Sequence, residues 1–320
     1  MMVRWALLLI FVSVPQVVTA AAPTIKGYMF GDYYHIASGP DKEENSFQFR
    51  RIYLTFDKKW NKRFSGRFRL ESSDPGFGSG SKMTPVVKDA WLRYQKNGRT
   101  LVIGLSPTPT WSFTEGVWGY RSIEKTIIDL NGVGSSRDTG ILFETPLDRK
   151  GRVKMQVMFG NGNSNKSEID NDKKGYLRFV LKATKNAGAT VYVDYESKPN
   201  DRDRVTIAGL LFSSTKDRGF GLDGVWQKRK NVLAGRDVAV RGISLFGRTK
   251  TQKRFGLFGR VDYFDPSDQA SDDAITRIFV GADVMPDSNI HIMPNLIVES
   301  FQDSGLETVF IPRMTVYYLF

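Results

Sequence analysis

The sequence contains no cysteine and only two histidines, His35 and His291, among its 320 residues. Without cysteine the chain has no disulfides, thiol nucleophiles or thiolate metal sites, and two isolated histidines give little material for a zinc centre or a serine–histidine triad. These absences exclude most familiar enzyme chemistries. We therefore expect no metal, no cofactor and no enzymatic activity.

Long apolar runs are also missing beyond the N-terminus. The mean hydropathy is −0.31 and 25% of the residues are charged. No later window reaches the roughly 18 to 20 continuous apolar residues that a spanning helix needs. A helical membrane protein is therefore excluded, and any membrane role requires another architecture.

The N-terminus has the pattern of a targeting segment. Arg4 provides a short positive region, residues 5–18 form an apolar core, and either residues 18–20 or residues 20–22 offer a small-residue cleavage site. We interpret residues 1–22 as a signal peptide and residues 23–320 as the mature domain; the alternative is a single membrane anchor. An exported chain of this size without cysteine is typical of the outer membrane of a Gram-negative bacterium.

Beyond the signal, apolar side chains alternate with polar or small ones in runs of about 8 to 12 residues. In one clear example, Met155, Val157 and Phe159 share one face while Lys154 and Gln156 share the other. Such alternation predicts β-strands with one apolar and one polar face.

The number and spacing of these segments predict an all-β fold, a transmembrane antiparallel β-barrel of about 16 strands. A soluble sandwich fits less well, because the polar faces stay charged along nearly the whole chain and so need a wide, water-filled lumen. The sixteen segments are centred on Met29, Leu54, Phe68, Leu92, Ile103, Ile141, Val157, Phe179, Val193, Gly209, Leu222, Ile243, Leu257, Val280, Leu296 and Val316.

One stretch, residues 106–138, breaks the alternation. It contains two prolines, several glycines and aromatics, and a short helix pattern around residues 123–130. Connections of this length are usually functional, and an apolar, aromatic loop on a wide barrel is best placed inside the lumen. We therefore predict an inward-folded constriction loop; a mobile external loop is the alternative. The polar stretch 160–175 lacks the ligand spacing and closing Glu of an EF-hand, so we predict no calcium there.

The last strand ends at an aromatic residue, Phe320. Met314, Val316, Tyr318 and Phe320 share one face, which is the pattern of a lipid-facing strand with aromatics at the membrane boundary. A C-terminal aromatic in this setting resembles the signal by which outer-membrane barrels are recognised for assembly. We predict that Phe320 and Tyr318 form this signal, with the barrel-assembly machinery as the partner; an ordinary edge strand is the alternative.

Several segments resemble the phosphate-selective porin O and P family of outer-membrane porins. The segments FQFRRIYLTFDKKWNKRFSGRFRLESSD, VVKDAWLRYQ, LVIGLSPTPTWSFTE and RSIEKTIIDLNGVGSSRDTGI follow that family's order and spacing over roughly residues 47–145. The resemblance implies a sixteen-stranded channel, often a homotrimer, whose inward-folded loop carries basic residues that select anions. In this sequence the loop also contains the acids Glu115, Glu124 and Asp129 and has no cluster of lysines. The resemblance therefore does not decide whether the preferred anion is phosphate or another oxyanion.

The candidate selectivity residues are bases grouped on three consecutive strands and on the loop beside them. A one-sided basic wall raises the local concentration of anions and contacts their oxygens through guanidinium groups. The alternative is that these bases pair with Glu71, Asp89 and Glu124 in a structural network. Arg277 and Arg313 lie on strands that we expect to be distant from this group. The predicted pore residues are Arg51, Arg67, Arg69, Arg93, Arg121, Lys125 and Arg137.

Other functions fit the sequence less well. Lys and Arg outnumber Asp and Glu by 46 to 34, but an exported barrel without a nucleic-acid-binding motif is not expected to bind DNA or RNA. An outer-membrane hydrolase would need a serine beside His35 or His291, and neither lies in a diagnostic motif. A structural or adhesive barrel remains the main alternative, and the width of the lumen separates it from a channel.

These observations predict an outer-membrane porin, a passive diffusion channel for small hydrophilic solutes that prefers anions. Charge and width at the constriction then decide what passes, and no chemistry is required. The expected partners are small anionic or polar solutes, the lipid bilayer and the barrel-assembly machinery.

Overall fold

Strict alternation along sixteen segments gives sixteen antiparallel strands in the computed structural model, which describes residues 22–320. Each strand pairs with its neighbours in sequence, and β1 pairs with β16, so that the sheet closes into a barrel. Every predicted segment centre falls inside a strand. The predicted fold class is confirmed. The predicted signal peptide lies, apart from Ala22, outside the described residues and stays a prediction.

The barrel contains sixteen strands, and two short helices lie within it. The strands are β1 (Thr24–His35), β2 (Asn45–Lys59), β3 (Phe64–Ser72), β4 (Val86–Lys96), β5 (Arg99–Pro107), β6 (Arg137–Pro146), β7 (Val153–Gly160), β8 (Lys174–Lys182), β9 (Ala187–Glu196), β10 (Arg204–Ser214), β11 (Arg218–Leu233), β12 (Arg236–Gln252), β13 (Phe255–Asp265), β14 (Ile275–Asp287), β15 (Ile290–Phe301) and β16 (Val309–Leu319). Two short helices, α1 (Ser112–Trp118) and α2 (Ile127–Leu130), lie between β5 and β6, and a 3₁₀ turn, Pro199–Asp201, precedes β10.

The connections differ in length at the two ends of the barrel. Those between odd and even strands include residues 36–44, 73–85, 108–136 and 161–173, and we call their side the long-loop end. Those between even and odd strands are short, and we call their side the short-turn end. One of them is the two-residue turn Asn97-Gly98, in which both residues have a positive φ, as the twist of a tight hairpin requires. None of the described helices is long and apolar enough to cross a membrane.

Apolar side chains cover the outer surface of the barrel. On the four consecutive strands β3 to β6, Phe68, Leu92, Ile103 and Ile141 are 42–50% exposed. The register places each beside a residue on the neighbouring strand that also faces outward, as in the pair Leu92 and Ile103. This continuous outward apolar face is what contact with lipid requires.

Two irregularities in the pairing change which residues face the lumen. Phe30 is opposite Arg51 whereas Asp32 is opposite Gln48, so β2 carries an extra residue at this point. As a result of this β-bulge, Arg50 and Arg51 both point inward, although they are adjacent in sequence.

The second irregularity lies between β3 and β4. Arg69 is opposite Asp89, but Leu70 is opposite Val87, so Lys88 is the extra residue. Lys88 consequently reaches the lumen next to Asp89, and its Nζ lies 3.0 Å from a carboxylate oxygen of Glu71.

Candidate functional site

The connection between β5 and β6, residues 108–136, folds into the barrel, and we call it the inner loop. Its side chains Trp111, Ile127, Ile128 and Val133 are buried against apolar residues from the wall. The wall residues in this cluster come from β5 through β13 and are Val102, Leu142, Met158, Tyr176, Tyr192, Ala208, Val225, Val240 and Phe264. The inner loop is therefore a packed part of the barrel.

A second apolar cluster holds the other half of the inner loop. Trp118 is fully buried, and its ring centre lies 5.5 Å from that of Phe246 and 6.1 Å from that of Phe258. Tyr120 packs on Phe258 at 4.4 Å. The helix predicted around residues 123–130 is correct only at its end: α2 covers four residues, and α1 forms earlier, where Trp118 anchors the chain.

Polar groups of the wall bind the backbone of the inner loop. Arg178 donates to the carbonyl oxygen of Pro109 at 2.9 Å, and Gln227 donates to that of Val133 at 2.7 Å. Arg260 donates to the carbonyl oxygen of Lys125. A loop without regular structure has many unpaired carbonyls, and charged donors satisfy them strongly. These wall side chains fix the position of the loop.

Two further arginines of the wall, on β2 and β12, also donate to backbone carbonyls of the inner loop. Arg50 donates to the carbonyl oxygens of Ser122 and Ile123, the latter at 2.7 Å, and Arg248 donates to that of Val117 at 3.2 Å. The inner loop is thus attached mainly to one side of the barrel. The space that it leaves is lined by β1, β2 and β16 and, toward the short-turn end, also by β12, β14 and β15. We call the wall from β16 through β1 to β4 the open side.

Four of the predicted selectivity residues lie on this open side, on the inward faces of β2, β3 and β4. Arg67 forms two hydrogen bonds with the carboxylate of Asp57, at 2.6 and 3.0 Å. Arg93 stacks on Trp91, with 4.6 Å between the guanidinium carbon and the ring centre, and has no carboxylate partner among residues 22–320. The four residues of this basic wall are Arg51, Arg67, Arg69 and Arg93.

Other members of the group pair with acids. Nη1 of Arg69 lies 3.4 Å from Asp89, and Arg137 donates to the other oxygen of that carboxylate. Nε of Arg51 lies 3.5 Å from Glu71. The structural network that the sequence left as an alternative is therefore present at Glu71 and Asp89.

The two remaining predicted residues lie on the inner loop. Arg121 is 3.4 Å from Glu115 and 3.9 Å from Asp129. The ammonium group of Lys125 has no carboxylate partner in the part of the chain that the structure describes, although its backbone N–H donates to Glu124 at 2.9 Å. The structure thus brings Arg121 and Lys125 toward Arg51, whereas Arg67 and Arg93 lie lower on the wall, toward the short-turn end.

A cavity of about 300 Å³ lies toward the long-loop end, and we call it the outer chamber. Five of its lining residues are basic and two are acidic. The prediction that Arg313 lies far from the basic group is wrong: closure of the barrel places β16 beside β1, and Arg313 lies 3.8 Å from Asp32 and 3.9 Å from Glu124. The lining residues are Phe30, Gln48, Arg50, Arg51, Asp74, Arg121, Glu124, Lys125 and Arg313.

A second cavity, of about 390 Å³, lies toward the short-turn end, and we call it the inner chamber. Four of its lining residues are lysine or arginine and two are carboxylates; aromatic rings and His291 form much of the rest. The lining includes Tyr28, Phe30, Glu115, Tyr120, Arg121, Lys216, Arg248, Lys250, Asp283, His291, Met293 and Tyr317.

Phe30 and Arg121 line both chambers and therefore lie where the two meet. The guanidinium carbons of Arg50 and Arg121 lie 5.6 and 5.7 Å from the ring centre of Phe30. Stacking on the ring holds two flexible side chains in place. This junction is the candidate constriction.

Two carboxyl groups of the inner loop differ in their environment. Burial acts to raise the pKa of Glu124, but the charges of Arg50 and Arg313 outweigh it and lower the pKa to about 2. Burial raises the pKa of Glu115, and the opposing effect of Arg121 is smaller. Glu115 is therefore protonated at higher pH than Glu124 as the solution becomes acidic.

Sequence reasoning missed several basic residues of the two chambers. Arg50 was missed because strict alternation assigns it to the outer face, and only the bulge turns it inward. Lys216 lies in a short turn, where alternation gives little information. Arg248 and Lys250 lie on the face of β12 that also carries the buried Val240 and Phe246, so that a polar face is not the inward one here. For Arg313, the signal was available in principle, because a closed barrel makes its last strand a neighbour of the first.

At the C-terminus, Phe320 takes part in barrel closure. Its backbone N–H donates to the carbonyl of Gly27 at 2.9 Å, and the Gly27 N–H donates back at 2.7 Å. Its ring covers Gly27 so closely that a Cβ there would lie 2.3 Å from it, and Tyr318 is 6.0 Å away, centre to centre. Both predicted assembly residues are thus at the seam between β1 and β16.

The histidine of the inner chamber is bound to an acid. Nδ1 of His291 lies 2.8 Å from Asp283, and the hydroxyl of Tyr120 donates to the same carboxylate at 3.2 Å. Residues 22–320 contain no cluster of three or more histidine, aspartate or glutamate side chains that could hold a metal ion.

The model of the phosphate-selective porin O and P family matches residues 25–109. This confirms the resemblance, although the matched range begins before residue 47 and ends at the start of the inner loop, so that Arg137 and Asp138 lie outside it. No curated protein matches the chain.

Solved porin structures have the same fold. The anion-selective porin from Comamonas acidovorans is 14% identical, with a TM-score of 0.66 over 93% of this chain and 99% of that one. The outer-membrane channel DcaP of Acinetobacter baumannii is 13% identical, with a TM-score of 0.67 over 93% and 97%. OmpT of Vibrio cholerae in its trimer form is 11% identical, with a TM-score of 0.64 over 94% and 100%.

The family match and the barrel together support an outer-membrane porin channel of a Gram-negative bacterium. The same two findings indicate a non-enzymatic channel. At these identities the structural likeness concerns the fold, and the preferred solute depends on the residues of this chain.

Proposed function

We propose that the protein is a passive outer-membrane diffusion channel that prefers small anions and is narrowed by the inner loop. The observation that carries this proposal is the lining of the two chambers. Together they expose eight lysine or arginine side chains and four carboxylates along one path. In a narrow lumen with low-dielectric walls, such an excess concentrates anions and repels cations.

Ion pairs with carboxylates neutralise part of the basic group, and this changes which residues we expect to determine the selectivity. Arg67 is held by Asp57, and Asp89 is shared between Arg69 and Arg137. A paired base contributes little field beyond its partner, since at 0.1 M salt charges are screened over about 10 Å. We propose that Arg121 and Lys125 contribute more to selectivity than Arg67 or Arg69, which line neither chamber. Arg121 lies 3.4 Å from Glu115 but lines both chambers at the constriction, and the ammonium group of Lys125 in the outer chamber has no carboxylate partner among residues 22–320.

The test is the reversal potential of single channels in a salt gradient. Wild type should be anion-selective, and R121Q should shift the reversal potential toward cations. The matched control is R67Q, which removes the same charge from a residue that lines neither chamber, and its shift should be clearly smaller. Equal shifts would show that total lumen charge controls permeation. A cation-selective wild type would overturn the anion preference.

A structural or adhesive barrel, the alternative, has no need for a water-filled path. Two chambers that meet at Phe30 and Arg121 favour the channel instead. A reconstituted protein without measurable conductance would favour the structural role.

For Phe320 and Tyr318 we propose an assembly role at the seam. Deletion of Phe320 removes two backbone hydrogen bonds to Gly27 and the ring above it. The yield of folded, heat-modifiable protein in the outer membrane should fall while export continues. F310A is the control, because Phe310 is an equally outward aromatic at the other end of β16. Normal yield after the deletion would contradict the proposal.

For the assembly state we propose a homotrimer, by analogy with the trimer form of the structurally similar OmpT. The mass of the detergent-solubilised protein, after subtraction of bound detergent, decides between trimer and monomer.

A further inference from the structure

The inner chamber holds three basic residues that are not neutralised by acids. Among residues 22–320, none of Lys216, Arg248 and Lys250 forms an ion pair with a carboxylate. Arg248 donates only to backbone carbonyls, those of Val117 and Thr215. Among the described residues that line the outer chamber, by contrast, every arginine has a carboxylate partner, and Lys125 is the only base whose side chain has none.

The carboxylates of the inner chamber are already engaged. Glu115 lies 3.4 Å from Arg121, and Asp283 accepts hydrogen bonds from His291 and Tyr120. The charges that remain available to a solute in this chamber are therefore positive. An anion there can contact a base without displacing an existing partner.

The opposite side of the inner chamber is aromatic. The rings of Tyr28 and Tyr317 lie 5.9 Å apart in an edge-to-face arrangement, and His291 stacks beside Tyr317 at 5.3 Å. Phe30 lies on β1 with Tyr28, and Tyr120 adds a further ring to the lining beside Phe258 of β13. Among the described residues that line the outer chamber, Phe30 is the only aromatic one. The two chambers therefore differ in the solutes that they fit.

A volume of about 390 Å³ lies in the range of small-molecule sites, which combine apolar surface with a few placed polar groups. Aromatic rings attract another ring edge-to-face or offset, beyond the effect of area alone. The three unpaired bases come from one turn and the neighbouring end of β12, namely Lys216, Arg248 and Lys250. They therefore offer an anionic group contacts on one side of the chamber.

We propose that the inner chamber is a binding site for small aromatic carboxylates, which rest in it during passage through the channel. The ring lies against Tyr28 and Tyr317, and the carboxylate faces Arg248 and Lys250. This inference deepens the proposed anion channel and rests on it. It also assigns a function to bases that lie away from the basic wall.

Benzoate is a suitable probe, with cyclohexanecarboxylate as its partner of the same charge and similar size but without an aromatic ring. Each is added to reconstituted channels, and the concentration that halves the chloride current is measured. Benzoate should act at a concentration about two- to tenfold lower than cyclohexanecarboxylate, which corresponds to the contribution of an aromatic pair. Acetate should block more weakly than either.

Variants separate the two sides of the site. Y317L should bring the blocking concentration of benzoate close to that of cyclohexanecarboxylate. Y317F, which keeps a ring, should preserve the difference between the two blocking concentrations. K250Q should weaken both probes about two- to fivefold. The matched control is K125Q, which removes an unpaired lysine from the outer chamber and should change the two blocking concentrations less than K250Q does. Heat-modifiability shows that each variant is folded.

The outcomes distinguish this inference from the proposed channel. If wild type is anion-selective but benzoate and cyclohexanecarboxylate act at equal concentrations, the aromatic site is wrong and the channel stands. If K125Q weakens both probes and K250Q does not, the site lies in the outer chamber and the assignment is wrong. A cation-selective or non-conducting wild type removes the basis of both proposals.

Discussion

The strands alternate on both sides of the barrel wall, but their inward side chains differ in chemistry between the two sides. From β6 to β13 many inward positions are apolar, such as Leu142, Ala208 and Val240, and they pack against the inner loop. On β2 to β4 the inward positions are mostly charged, and Arg313 of β16 adds a further base beside Asp32. The comparison shows that a barrel wall can be a core on one side and a pore lining on the other.

Charged residues also differ between these two sides. On the packed side the Arg260 side chain is 1% exposed, pairs with Asp262 and donates to the backbone carbonyl of Lys125 in the inner loop. On the open side Arg67 pairs with Asp57, and both side chains are about one quarter exposed. The buried pair is structural because neither charge can reach water, whereas the open pair exchanges part of its contacts with solvent.

The largest effect should follow from removing the anchor of the inner loop. W118A deletes a fully buried ring between Phe246 and Phe258 and should cost about 3–5 kcal/mol of docking free energy. The loop should then leave the wall, and single-channel conductance should rise with added noise. W60A, at an outward residue that is 44% exposed, is the control. Unchanged conductance in W118A would show that the loop does not set the width.

Removing one arginine from each side gives the next comparison. R260Q leaves Asp262 buried without its partner and should lower the free energy of unfolding by about 3–5 kcal/mol. R67Q should cost at most about 1 kcal/mol, because Asp57 is accessible to water. Urea unfolding in lipid vesicles, followed by tryptophan fluorescence, measures both. Similar losses would mean that the two sides are equally packed.

The smallest effect concerns pH. Burial raises the pKa of Glu115, so acidification neutralises this carboxylate early and should shift the reversal potential further toward anions. The pKa of Glu124 is about 2, so its charge persists. Between pH 7 and pH 4, E115Q should show a smaller pH response than wild type, whereas E124Q should keep the response. Other titrating groups are common to both variants. An identical response in E115Q would exclude Glu115 as the source.

Much of the barrel was predictable because alternation with a period of two is a local property. All sixteen segment centres fall in strands, and the aromatic, proline-containing stretch is the inner loop. The bulges were not predictable, since an extra residue changes the facing of Arg50 and Lys88 without changing the composition.

The candidate site was predictable only in part, for a physical reason. Which strands border a pore depends on where the inner loop packs, and that depends on contacts such as those of Trp118 with β12 and β13. The sequence-based group on β2 to β4 lies on the open side, but much of its charge is paired. The unpaired Lys216 and Lys250 are placed by the fold and not by any motif.

The seam at Gly27 and Phe320 has a consequence for the order of folding. Each neighbouring pair from β1–β2 to β15–β16 joins strands that are close in sequence, and seven of these hairpins turn within the short connections. The pairing of β1 with β16 joins the two ends of the chain, so its loop-closure entropy is the greatest in the sheet. The hairpins are therefore expected to form first and the ring to close last, after residue 320 has been delivered to the membrane.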